Sequence, residues 1–66
     1  MARRTDFTAE EKHKVAQREV EWRLRVYPHR VAIKKMSRQE AEYQIDVMRA
    51  IAKDYNAIAQ ETERLI

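Results

Sequence analysis

The chain has 66 residues and no cysteine, so it is one small domain that neither a disulfide nor a thiolate metal site can hold together. Glycine is also absent, proline occurs once and 38% of residues are charged, which excludes the turn-rich, alternating pattern of a β fold and leaves an all-α one. The net charge of +3 is uneven: residues 1–36 carry ten Lys/Arg against five Asp/Glu, and residues 37–66 carry four against six. The first half is thus suited to an anionic partner, or to the acidic half of another subunit.

Residues 1–7 read as a flexible basic arm, with Arg3 and Arg4 its main feature and no apolar stretch of the signal-peptide kind. No run approaches the roughly 18 apolar residues of a membrane span. The expected location is the cytoplasm, with no membrane partner.

Helix 1 is predicted over residues 8–26. Thr8 and Glu11 have capping-box spacing, and Glu10 and Glu11 fall in the first turn, where the helix dipole favours acids. At about 100° per residue, Val15, Trp22 and Val26 form one apolar stripe, which reads as core. Ala16, Val20, Leu24 and Tyr27 form a second stripe about 130° away. Glu19 and Arg23 lie between them as an i,i+4 pair. A helix with two apolar stripes needs two neighbours. Pro28 lacks the N–H of a helix interior and disfavours the α conformation at Tyr27, which predicts the end of helix 1 near Val26.

Residues 27–36 then form a basic corner, in which 29–36 are expected to make a short helix or helical turn. Ser37 and Glu40 repeat the capping-box spacing, and helix 2 is predicted over 37–66 because neither glycine nor proline interrupts it. At 1.5 Å per residue helix 2 would be about 40 Å long and helix 1 about 27 Å, so a simple hairpin would leave the distal end of helix 2 uncovered. Ala41, Ile45, Met48, Ala52, Tyr55, Ala59, Thr62 and Ile66 alternate steps of four and three, the spacing of a coiled-coil seam. Val47, Ile51, Ile58 and Leu65 make a second stripe, and together the two span an arc of about 160°, wider than one helix covers. The expected architecture is therefore a helical hairpin with a short connecting helical segment and a long C-terminal helix that joins subunits. The expected interface is Ile45, Met48, Ala52, Tyr55, Ile58, Ala59 and Leu65. Tyr43 falls opposite the seam, where an aromatic ring is a candidate for binding a partner.

No converging set of titratable groups at a catalytic spacing is present, so no enzyme, cofactor or metal is expected. Glu10 and His13 make one Glu-x-x-His unit, of which di-iron bundles need two. The basic corner is the candidate ligand site: Arg23, Arg25, Tyr27, His29, Arg30, Lys34, Lys35, Ser37 and Arg38. Arg23 and Arg25 suit the negative end of helix 1 in any case, and His29 reads first as a helix-end donor and after that as a ligand or a phosphate contact. Lys34 and Lys35 precede the positive end of helix 2, which favours an anion beside them, though the same residues also describe a solvated surface.

The run Val26-Tyr27-Pro28, followed by Val31, Lys35-Met36, Ala41, Ile45, Met48, Ala50-Ile51 and Asp54-Tyr55, resembles a pattern in small helical proteins encoded by bacteriophages and prophages. The residue before Lys-Met is often glycine there and is Lys34 here, which implies a corner of different shape. The resemblance implies a phage setting without an activity. The expected function is a non-enzymatic anti-defence inhibitor or sponge that sequesters an anionic nucleotide-type ligand at the basic corner of a homo-oligomer. The alternatives are a nucleic-acid-binding accessory protein, or a protein–protein inhibitor of a host defence or replication complex.

Overall fold

The computed structural model describes residues 5–64, which form two helices, α1 (Ala9–Ala32) and α2 (Arg38–Arg64), joined by a turn over residues 33–37. The helices run antiparallel: the His13 ring lies 3.0 Å from the Ala52 carbonyl, the Lys12 ammonium sits over the Tyr55 ring, and Tyr27 lines one depression with Ala41 and Ile45. The fold is an all-α hairpin, and the described residues contain no strand.

α1 starts as its sequence dictates. Thr8 Oγ1 accepts from the Glu11 amide at 3.1 Å, and the Glu11 carboxylate accepts from the Thr8 amide at 3.3 Å, completing the capping box. The predicted end of the helix is wrong. α1 continues past Val26 through Pro28 to Ala32, so no separate helical segment links the two helices. Pro28 leaves the Leu24 carbonyl without its helical donor, and both residues are exposed at the surface of the hairpin. One turn of further packing is the compensation, since Tyr27 is buried and Arg30 and Val31 are half-buried. With α1 at 24 residues and α2 at 27, the expected length mismatch disappears.

The helix ends instead in a Schellman motif. The Lys35 amide donates to the Arg30 carbonyl at 2.9 Å and the Lys34 amide to the Val31 carbonyl at 3.1 Å. Lys34 takes φ 60°, the left-handed value that glycine usually supplies. Lysine therefore holds a backbone conformation that glycine adopts at lower cost. Ser37 Oγ then accepts from the Glu40 amide at 3.0 Å and opens α2.

The hairpin seam on α2 follows the predicted spacing from Ala41 to Ala59: Ala41 and Ala52 are buried and Ile45, Met48, Tyr55 and Ala59 half-buried, while Thr62 is exposed. On α1 it follows Ala9, His13, Ala16, Val20, Arg23, Tyr27 and Arg30, again in steps of four and three. Among the described residues the buried side chains are Ala16, Val20, Tyr27, Ala41 and Ala52, three of them alanine. Such a core is thin for a folded chain.

Candidate functional site

The open apolar face arises from a repeated offset. On α1, Val15, Trp22 and Val26 each directly precede a seam residue, namely Ala16, Arg23 and Tyr27. On α2, Val47, Ile51 and Ile58 directly precede Met48, Ala52 and Ala59. One residue back is the same rotation, about 100°, on both helices, and in an antiparallel pair equal rotations emerge on the same side. Val15, Ile51, Met48 and Phe7 accordingly line one groove. Val15 is 59% exposed, Trp22 37%, Val47 41%, Ile51 37% and Ile58 49%, far more than core positions allow. Trp22 is thus not core within one chain, as its spacing had indicated. It contacts the Tyr27 ring edge-on at 6.0 Å, and the Arg30 guanidinium lies 5.4 Å from its centroid.

The opposite side is polar. His13, Gln17, Arg49, Lys53 and Asn56 line it, with Leu24 as its one large aliphatic chain at the surface. His13 Nδ1 sits 3.0 Å from the Ala52 carbonyl, tying the helices together across this edge. Among the described residues no group of three His, Cys, Asp or Glu could hold a metal ion.

Of the interface residues read from the sequence, Ile45, Met48, Ala52, Tyr55 and Ala59 lie on the seam that α1 occupies within the same chain, and Ala52 is only 3% exposed. Ile58 belongs to the open face, and Leu65 lies outside the described residues, as do Arg3, Arg4 and Ile66. Neither the sequence reading of helix 1 nor that of helix 2 had put Val15, Trp22, Ile51 and Ile58 on one surface. The signal was present in the shared offset from the two seams.

The predicted basic corner divides into parts. Arg23 is in the seam, where its Nη1 meets the Glu19 carboxylate at 2.7 Å, its guanidinium faces the Tyr27 ring, and its buried Nε lacks a partner. Tyr27 is 6% exposed, leaving no ring face for a ligand to stack on. Arg25 lies along another groove with Arg18 and Trp22, and His29 is exposed on the last turn of α1. Only Lys34, Lys35, Ser37 and Arg38 come together, around an open depression that Glu40 also lines. Because α1 ends at Ala32, Lys34 and Lys35 directly follow its negative end, where cations are favoured. These lysines therefore have a structural reason, the end of α1, that the predicted helix boundary did not give them.

No helix of the described residues is long and apolar enough to cross a membrane. No family model matches the chain, and no characterised protein or solved structure is detectably similar to it.

Proposed function

We propose that this chain is a non-enzymatic binding protein that acts as a homo-oligomer, assembled on the apolar face. The observation that carries this reading is that face itself, with Val15, Trp22, Val47, Ile51 and Ile58 all exposed on the side of the hairpin where Val15, Ile51 and Met48 share a groove. Contiguous apolar surface of this kind on a small domain marks a protein contact. The core inside one chain is too thin to do without it. Within the phage setting that the sequence pattern implies, an assembled helical module of this size fits an inhibitor or regulator of a host process. Light scattering over a dilution series, with emission from the single Trp22 followed in parallel, tests the assembly. The expected mass is a multiple of 8.0 kDa, with a red shift of Trp22 on dissociation. A folded monomer at micromolar concentration would overturn the reading.

A second reading, sequestration of an anionic nucleotide-type ligand, is favoured by the shared depression of Lys34, Lys35, Ser37 and Arg38. Thermal shift against a panel of nucleotides tests it. A ligand at a hundred times its dissociation constant adds about 2.7 kcal/mol of stability. No shift by any nucleotide on the assembled protein would remove this reading.

A further inference from the structure

We infer that the apolar face is covered by a second copy of the chain in one particular orientation, α1 of each copy lying over α2 of the other, with the two-fold axis parallel to the helices. This rests on the self-association proposed above and specifies its geometry.

The first argument is area. A compact monomer of 8.0 kDa is expected to expose about 4,500 Å². The chain exposes 5890 Å², an excess of about 1,400 Å². Obligate homodimers bury roughly 1,000–2,500 Å² per chain, so one second copy absorbs the excess. A face set by the same offset on both helices is also self-complementary in the way an isologous contact requires.

The second argument is charge, and it selects the orientation. α1 carries six Lys/Arg against four Asp/Glu, and α2 four against six. The outer edges of the face carry the same division, with Glu21 and the Arg23-paired Glu19 also lining the groove of the α1 edge. Three residues beyond Val15 and Trp22 stand Arg18 and Arg25; three beyond Ile51 and Ile58 stand Asp54 and Glu61. All four are exposed, and none has an ion-pair partner among the described residues. Two hairpins can meet face to face with a two-fold axis either across the helices or along them. The axis across the helices lays α1 on the partner's α1, so the arginine edges run together and the acidic edges run together. The axis along the helices lays α1 on the partner's α2 and sets each arginine edge beside an acidic one. Every helix of the resulting four-helix bundle is antiparallel to its neighbours, and both 33–37 turns emerge at the same end. Lys34, Lys35 and Arg38 of the two copies are then gathered into one cationic surface.

The absence of cysteine makes the test direct. Lys35→Cys at the turn, and separately Gln60→Cys near the other end, each receive one spin label per chain, and the distance between labels is measured by pulsed electron resonance. With the axis along the helices, the two copies of each site stand at the same level across the diagonal of the bundle, and both variants give distances of about 15–30 Å, that diagonal plus labels. With the axis across them, labels at the ends of helices about 35 Å long lie farther apart than that length in both variants, which would overturn the inference. Light scattering on the same samples separates the two claims: a dimer with long distances removes this orientation alone, and a monomeric mass removes the self-association beneath it. If either variant fails to fold, the other reports the same geometry from the opposite end.

Discussion

The Lys35 amide is held 2.9 Å from the Arg30 carbonyl, and closing that bond turns the intervening Lys34 to φ 60°. A residue with a Cβ pays roughly 1–2 kcal/mol in this region, while glycine adopts it freely but loses more entropy on folding. Lys34→Gly is therefore expected to raise stability by about 1 kcal/mol, and Lys34→Val to lower it by more. Urea unfolding measures both. A glycine variant no more stable than the parent would show that the turn is not strained.

The helix starts were legible because Thr8 and Ser37 announce them by spacing alone, and so was the α2 seam, which is built from apolar residues. The α1 seam was legible in part: Ala16, Val20 and Tyr27 of one predicted stripe belong to it, but His13, Arg23 and Arg30 occupy its other positions and Leu24 turns to the polar side, so the outward stripe of Val15, Trp22 and Val26 read equally as core. Pro28 misled for a different reason. Its local penalty, about 3 kcal/mol in a helix interior, is real, but whether packing offsets it depends on Tyr27 sharing a depression with Ala41 and Ile45, far away in sequence. The candidate ligand site dispersed in consequence: once α1 continues through Pro28, residues 23–30 are distributed around a helix rather than drawn into a corner.

His13 makes a contact with a defined chemical state. Nδ1 faces a carbonyl that can only accept, so the ring must carry its proton on Nδ1. Nitrogen-detected NMR of the neutral ring should find the Nδ1–H tautomer, and His13→Ala should cost about 0.5–1.5 kcal/mol. An Nε2–H ring would mean that the contact does not form in solution.

Arg23 places a charge inside the seam, with its side chain 16% exposed and Glu19 49% exposed beside it. A charge held this way is weak support for the fold, because its desolvation offsets much of the pairing. Arg23→Met keeps the packing of the aliphatic stem and is expected to leave stability within about 1 kcal/mol of the parent, or to raise it. Arg23→Ala removes the packing as well and should cost about 1–2 kcal/mol. Thermal unfolding of the two variants orders them; methionine proving the worse would mean that the ion pair, not the stem, is what matters.

Lys34 and Lys35 sit between the negative end of α1 and the positive end of α2, so reversing both charges loses at one helix what it gains at the other. Stability of Lys34→Glu/Lys35→Glu should stay within about 0.5 kcal/mol of the parent. A nucleotide-induced thermal shift, where the parent shows one, should disappear. A variant that keeps the shift would exclude these lysines from the ligand site.

Ile51 and Leu24 offer a controlled comparison of the two sides of the hairpin. Both are large aliphatic chains at similar exposure, 37% and 44%, but Ile51 lies on the apolar face with Val15 and Met48, while Leu24 lies on the polar side with Gln17 and Arg49. In a single chain a glutamate at either position would have comparable access to water and comparable cost. In the proposed assembly Ile51 would lose its remaining contact with solvent, and a carboxylate there would be buried without a partner. Ile51→Glu should therefore lower the mass towards 8.0 kDa and reduce stability by several kcal/mol, while Leu24→Glu should keep the assembled mass and lose less than about 1 kcal/mol. Light scattering and denaturant unfolding at several protein concentrations read both quantities. Equal behaviour of the two variants would mean that the apolar face has no more work to do than the polar one.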